Sequence, residues 1–545
     1  MTTAPTAPPI RPARPVRGQF TGTWRLLAGA LRRDRLRLAI WVAAIPGLFY
    51  AGLASESELF SDQAELAARA AVMNSSTGVA FGGPRYGLDS YDLGGIVMNE
   101  YSSTIMVCLA IMAIGLVVHA SRAEEESGRA ELVGAAVTGR WALLTAAALE
   151  SLAACLAIGL LCAGAMTANG LAPADSLAAA AGFALVGCVF AALGLLTSQL
   201  ASSARGASGA ALGIMGALYL VRVAGDIPAV GGTALSWLSP FAWAQQTRAF
   251  YDLRWWPLVL ALAAAVALTA LALWCARRRD LGAGLVPERR ARPDAPAWLR
   301  SPLALGARLA RPSWTGWTAS AIILGATCGP ITGSVDTMLA DNREWAQLLG
   351  FDESALTAAF LSMMVLYCAL LGVCFAVANV ARAHSAEAAG LTELVLAQPV
   401  ARWRYLGSYA AVSAIGGAAT CLLGTLALGL TAQAAGVGDW FELLRAGLAY
   451  LPVVALFTGL ALVIYAIAPR AGAASWALVA YGVVATMFGQ ALSLPGWAVK
   501  AGVFGAVGLV PQASYRAAPL TIMALAALAF GLAAFKRFRA RDIPA

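Results

Sequence analysis

The sequence predicts an all-α polytopic membrane protein of about 12 transmembrane helices, arranged as two parallel six-helix pseudo-repeats. Three observations carry that reading. Of the 545 residues, 60% are hydrophobic and only 12% charged, with a mean hydropathy of +0.71, whereas a soluble domain carries roughly 25% charged residues. The apolar residues gather into long runs of about 20, the length that crosses a hydrocarbon core. A charged pattern after the second run recurs after the eighth at an offset of 262 residues, and such self-similarity marks an internal duplication.

Taken in chain order, residues 1–18 are rich in Pro, Thr and Ala and carry Arg11, Arg14 and Arg17. No short apolar core with a small-residue cleavage site follows, so the stretch reads as a disordered cytoplasmic tail and not as a signal peptide. The first six-helix half is expected over 19–276, with spans near 37–54, 101–120, 142–166, 176–199, 207–225 and 257–276. An Arg-rich cytoplasmic linker follows at 277–313. The second half is expected over 314–536, with spans near 316–334, 355–380, 405–431, 446–467, 473–491 and 518–535, and a cytoplasmic tail closes the chain at 537–545. Six spans per half is an even number, so both halves share one orientation and a central pathway between them is the expected consequence.

Charge sets the orientation, because lysines and arginines are retained on the cytoplasmic side. With the N-terminus inside, 29 of the 38 basic residues fall in inside segments and seven outside (Arg69, Arg85, Arg248, Arg254, Arg343, Lys500 and Arg516), while acids such as Glu56, Asp89, Asp92, Asp336 and Glu344 fall outside. Both termini are therefore expected to be cytoplasmic, in the cell inner or plasma membrane. The net charge of +9 follows from this anchoring and needs no nucleic-acid partner.

The repeated segments lie at 121–140 and 382–402. Glu125-x-x-Gly128-x-x-Glu131-Leu132-Val133-x-Ala135 ends in Arg140-Trp141, and Glu387-x-x-Gly390-x-x-Glu393-Leu394-Val395-x-Ala397 ends in Arg402-Trp403, eight identities in seventeen ungapped positions. The same offset pairs Pro257-Leu258 with Pro519-Leu520, and Arg277-x-Arg279-Asp280 with Arg539-x-Arg541-Asp542. Ser121 and Glu124 have capping-box spacing, and the acids lie where a helix dipole favours them. Arg140 with Trp141 would anchor the next span, and Gly128 and Gly390 would permit a bend or a close approach of backbones. Two capped interfacial turns would not also require Glu-Leu-Val at one spacing, so a docking role is the sharper reading. A lipid-facing helix accepts almost any apolar residue, whereas a loop that docks a partner needs particular groups.

These residues carry a resemblance. A six-span half with an E-x-x-G-x-x-E-L loop after its second span resembles the permeases of ABC-2 type exporters, with a fused, type V-like transmembrane domain. The duplicated, Arg-rich, single-chain form is similar to the polyketide-antibiotic (tetronasin-type) exporter permeases of actinobacteria, over nearly the whole chain. The resemblance implies that each loop is a coupling helix seated in a cleft of an ATPase subunit. It assigns Glu125, Gly128, Glu131 and Arg140, and their counterparts Glu387, Gly390, Glu393 and Arg402, to that coupling. It also makes the amphipathic stretches Phe20 to Leu36 and Trp298 to Leu309 elbow helices at the cytoplasmic interface. The halves differ in that Glu124, Glu125 and Glu126 of the first loop face His384, Ser385 and Ala386 near that place in the second.

Energy must come from elsewhere. A P-loop requires Gly-Lys followed by Ser or Thr, and the two lysines, Lys500 after Val499 and Lys536 after Phe535, exclude it. The chain is expected to hold no cofactor and to rely on a separate ABC ATPase that binds ATP and Mg, two copies per chain because both coupling segments lie in one polypeptide. The rival reading is a proton-driven secondary transporter. Its candidates are Glu150, about 13 Å into the third span at 1.5 Å per residue, and Arg222 near the end of the fifth. Both could equally form an ion pair between helices, and neither has a charged counterpart at the 262 offset, where Val412 and Val484 stand. The short charged loop of the major facilitator superfamily is also missing after the second span.

No catalytic residues and no metal site are expected. Neither HExxH nor GxSxG occurs, the nine cysteines lie mostly in apolar runs without CxxC spacing, and His119 and His384 are the only histidines. The external segment 55–100, with its Gly, Pro and Tyr content, is expected to fold over the exit of the pathway. Between the fifth and sixth spans, Trp237, Phe241, Trp243, Phe250, Tyr251, Trp255 and Trp256 form either an interfacial aromatic belt or a ligand site with Trp243 and Phe250 at its centre. Apolar walls with few intramembrane charges suit bulky lipophilic cargo, antibiotics or other drugs, with a lipid or cell-envelope component as the alternative.

Overall fold

The computed structural model describes residues 18–59, 63–280, 282–286, 296–341, 353–487, 495, 502–508, 510–511 and 517–542. Every regular element among them is helical. Ten of these helices are long and apolar enough to cross a membrane, which makes the chain a polytopic membrane protein. The chain divides into two compact units, Met1–Ala291 and Arg292–Ala545, and the division falls inside the Arg-rich linker expected at 277–313.

Unit 1 begins with α1 (Thr23–Arg33) and α2 (Arg35–Leu59), separated by Asp34 alone. Four short helices fill the segment expected outside, namely α3 (Gln63–Asn74), α4 (Ser76–Phe81), a 3₁₀ turn at Leu88–Ser90 and α5 (Leu93–Ile96). A π turn at Val97–Tyr101 leads into α6 (Ser102–Ala120), followed by α7 (Arg122–Glu126) and α8 (Arg129–Gly134). Next come α9 (Ala142–Ala168), α10 (Pro173–Leu200), α11 (Ala204–Asp226), α12 (Pro240–Gln245) and α13 (Trp256–Ala276).

The central helix is α10. Pro173 at its first position and Asp175 in its first turn start it, and extended Ala201 ends it. It packs against α6, α9 and α13. In a bilayer there is no hydrophobic gain from helix association, so close packing of small residues must hold helices together. Ala179, Ala180, Ala184 and Gly187 of α10 supply that surface, while Phe183 and Phe190 fill the remaining space, Phe190 against Phe241 at 5.0 Å between ring centres.

Unit 2 comprises α14 (Pro302–Asp341), α15 (Glu353–Ala388), α16 (Leu391–Leu396), α17 (Arg402–Ala434), α18 (Trp440–Ala449), α19 (Leu451–Ile467), α20 (Gly472–Met487), α21 (Val503–Val507) and α22 (Ala517–Ala540). Here glycine decides the packing. A Cβ on Gly325 would lie 2.3 Å from the Gly424 carbonyl, and one on Gly372 would lie 2.5 Å from that of Gly417. Both α14 and α15 thus cross α17 at backbone contact.

Two expected boundaries differ. The second elbow stretch and the seventh span form one helix, α14, which continues through Pro312. In unit 1 the break falls at Asp34, which ends α1 and whose carboxylate is held by Arg33 at 2.6 Å; the corresponding stretch 308–312 runs on as helix in α14. The eleventh expected span, 473–491, corresponds to α20, whose 16 residues end at Met487; residues 488–491 lie outside the described residues. The expected external positions Arg343, Glu344, Lys500 and Arg516 lie outside them too.

Candidate functional site

The two repeated segments build the same structure, one in each unit. In unit 1, α6 ends at Ala120 and the chain turns through α7. At Gly128 the backbone takes φ 74°, and α8 follows. In unit 2, α15 ends at Ala388, Gly390 takes φ 70°, and α16 follows. An added Cβ would meet nothing within 4 Å at either glycine, so the left-handed bend, and not a close approach, is what requires them. The capping box expected at Ser121 does not form, since its buried hydroxyl donates to the Val117 carbonyl at 2.6 Å.

The first acid of each motif is turned inward. Glu125 receives Arg279 on both carboxylate oxygens, at 2.5 and 2.7 Å, and Arg122 at 2.9 Å. Arg279 also donates to the Gln199 side chain at 2.7 Å, and Arg122 to the carbonyls of Ser202, Gly282 and Ala283. Glu387 receives Arg541 on both oxygens at 2.6 and 2.8 Å. Arg541 then donates to the Tyr465 carbonyl at 3.2 Å. In both pairs the side chains are less than a tenth exposed. Where unit 1 has Arg122, unit 2 has His384, whose Nδ1 lies 2.6 Å from the Pro469 carbonyl.

The arginine that closes each motif reaches the same place. Arg140 donates to the carbonyls of Ala276, Arg277 and Arg279 at 3.1 to 3.2 Å. Arg402 donates to those of Arg539 at 3.3 Å and Arg541 at 2.6 Å. These are carbonyls at or just past the C-terminal ends of α13 and α22, which lack intrahelical partners and carry the negative end of the helix dipole. Trp141 packs edge-on against Phe20 at 5.1 Å, with Arg277 over its ring at 5.2 Å.

The middle of each segment faces outward. Glu131 and Glu393 are exposed, and so are Leu132 (76%) and Leu394 (67%). A cleft of about 890 Å³ lies beside Glu125, Val133, Arg140, Ala276 and Arg279, and another of about 490 Å³ beside Glu393, Leu396, Val400 and Arg402. Unit 1 adds a second charged cluster, in which Glu124 binds Arg33 at 2.8 Å and Arg129 at 2.9 Å. Against the opposing effect of burial, Asp34 and Glu124 hold the Arg33 guanidinium above its ordinary value. The sequence signal for Arg279 and Arg541 was their place in the repeated Arg-x-Arg-Asp motif; it did not reveal their partners.

The pathway candidates are dispersed. Glu150 is buried in α9, with Asp34, Arg33 and Arg37 as charged neighbours. Fully buried Arg222 donates to the carbonyls of Ala80 at 2.5 Å and Gly82 at 3.1 Å, and to Gln245 and Ser103 at 3.2 Å, with Asp226 3.8 Å away. It thus fastens the 55–100 segment to α11, α12 and α6, and it does not pair with Glu150. In that segment burial, with Glu100 as hydrogen-bond acceptor, pushes the Tyr91 hydroxyl well above its ordinary range. Trp243 donates its indole N–H to the Trp237 carbonyl at 2.7 Å. Phe250 takes φ 65° and donates its backbone N–H to Asp175 at 2.8 Å.

Comparison with known proteins adds two findings. Residues 25–277 and 299–539 match the family described as "Multidrug efflux system permease Rv1217c, C-terminal domain". The chain is 34% identical over 541 residues to the "Multidrug efflux system permease protein Rv1217c" of Mycobacterium tuberculosis (strain ATCC 25618 / H37Rv), covering 97% of each chain. The match names multidrug efflux, not a tetronasin-type exporter.

Proposed function

Because the chain belongs to this family of multidrug efflux system permeases, and is thus a transport subunit rather than an enzyme, we propose that it is the membrane subunit of an ATP-driven ABC exporter. Its cargo is hydrophobic compounds, polyketide-type antibiotics or other drugs. The observation that carries the reading is the paired Glu131-Leu132 and Glu393-Leu394, each exposed in the middle of a segment whose two ends are fastened down. An exposed leucine next to a carboxylate, presented on a braced loop, is the chemistry of a docking knob: apolar insertion with a charge at its rim. Two knobs in one chain call for two copies of a separate ATPase, since the chain has no P-loop lysine of its own.

In this reading both termini and both coupling segments are cytoplasmic, in keeping with the distribution of arginines. ATP and Mg belong to the partner. The second reading, proton-driven transport, draws on Glu150, a buried carboxyl group beside Asp34. A lipid or cell-envelope component is the competing cargo for the ATP-driven form.

The test is purification of the tagged chain in mild detergent, coexpressed with its neighbouring genes, with identification and stoichiometry of what co-purifies. The expected result is an ATPase at two copies per permease. A stable, active chain with no ATPase would overturn the reading in favour of proton coupling, with Glu150→Gln the next variant to measure.

A further inference from the structure

The coupling assignment leaves one repeated feature without a role: the Arg-x-Arg-Asp motif after the sixth span of each half. The structure brings it onto the other repeated motif. Glu125 holds Arg279 and Glu387 holds Arg541, so both members of each pair lie 262 residues apart from their counterparts. Arg140 and Arg402, also 262 residues apart, bind the backbone at the same helix ends.

Each segment is therefore tied to one helix at two points. The first tie lies six residues before the exposed Glu-Leu pair and the second eight residues after it. In unit 1 the pair is bidentate, with the two terminal nitrogens of Arg279 each on one oxygen of Glu125, which fixes orientation as well as distance; in unit 2 one nitrogen of Arg541 holds both oxygens of Glu387. Backbone carbonyls as acceptors leave the second tie no side-chain freedom on the helix side. Along their apolar stretches α13 and α22 are only 22% and 11% buried, as α2 and α11 of unit 1 are at 22% and 17%, against 72% for α10. Of the first two, each packs chiefly against one helix of its unit, α13 against α10 and α22 against α19, and can therefore tilt along that one contact.

We infer that these ties are struts, through which displacement of each coupling segment is passed to the sixth span of its half. Arg279 and Arg541 are positioning residues for transport. The inference rests on the ATP-driven reading, and adds to it the helix that receives the stroke.

The experiment uses the full chain with its ATPase in everted membrane vesicles, with ethidium as transported probe. The readout is ethidium moved per ATP hydrolysed. A brace needed only for folding lowers the number of active complexes and leaves that ratio unchanged, whereas loss of a strut lowers the ratio. The variant Arg279→Gln with Arg541→Gln leaves the Arg140 and Arg402 ties in place and is therefore expected to keep its co-purifying ATPase, and to lose about fivefold or more of the ratio, the lower end of typical coupling between sites. Exchanging the charges, Glu125→Arg with Arg279→Glu and Glu387→Arg with Arg541→Glu, is expected to restore most of it. An unchanged ratio in the glutamine variant overturns the inference. If that variant does not assemble, Arg279→Lys with Arg541→Lys keeps the charge but loses the fork of Arg279 on Glu125 and the second donor by which Arg541 reaches the Tyr465 carbonyl; an intermediate ratio supports the strut and a wild-type ratio overturns it. Ethidium export by the wild-type chain that persists without the ATPase overturns the ATP-driven reading itself, and is recognised by that control.

Discussion

Arg222 is the residue whose role changes most between sequence and structure. As a lone charge near the end of an apolar run, it is marked as a pathway candidate by the general cost of intramembrane charge. In the fold its guanidinium is consumed by the Ala80 and Gly82 carbonyls, Gln245 and Ser103. Replacing it with methionine would remove the charge paired with buried Asp226 and one donor each from the Ala80 and Gly82 carbonyls, which keep Tyr219, Ser103 and Gln245 as donors, and breaking a buried charged pair costs about 3–5 kcal/mol. Arg222→Met is thus expected to reduce folded yield in detergent and to expose the 55–100 segment to protease. A stable variant with altered cargo preference would instead make Arg222 a pathway residue. Sequence reading could not reach this, because two of the partners are backbone carbonyls some 140 residues away, and a carbonyl leaves no mark in composition. The glycines were legible: Gly128 and Gly390 announce an unusual backbone, and only the choice between bend and close contact needed coordinates.

Helices α8 and α16 have six residues each, too short to be stable alone. The ties at their flanks hold them in place, and this explains why the motif repeats residues whose side chains turn back onto the chain itself: Glu125 and Arg140 build the platform, and Glu131 with Leu132 is what it presents. The double variant Glu131→Lys with Glu393→Lys is accordingly expected to remain folded and to lose both ATPase co-purification and export, since neither glutamate is buried. Normal drug resistance in cells carrying it would defeat the docking assignment. At this scale the apolar runs located the helices, because about 20 apolar residues have few other solutions. They did not locate the junction of elbow and span in unit 2. The helix breaks at Asp34 in unit 1, while periodicity continues across the corresponding point in α14.

Each unit contains its own core. One runs from Ile45 to Ala276 around α10, the other from Cys328 to Phe538 around α17 and α19, and the described ties of each coupling segment stay within its unit. Among the described residues each core cluster is built from one unit, so each unit should insert and fold without the other. This separates two sources of the proposed two-ATPase stoichiometry. If each exposed Glu-Leu pair recruits one ATPase by itself, a half-chain ending at Val286 should co-purify with one copy, and a half-chain beginning at Pro296 with one copy as well. The two coexpressed should then regain two, at lower apparent affinity because the covalent link no longer supplies a high effective concentration. If only one loop docks productively, as the exchange of Arg122 for His384 at the base of the second allows, one half-chain will recruit the ATPase and the other will not. A full chain with two copies but half-chains with none would mean that docking needs both loops at once. The stoichiometry of each half-chain therefore decides whether the likeness of the two segments reflects two equal docking sites or one site with a structural twin.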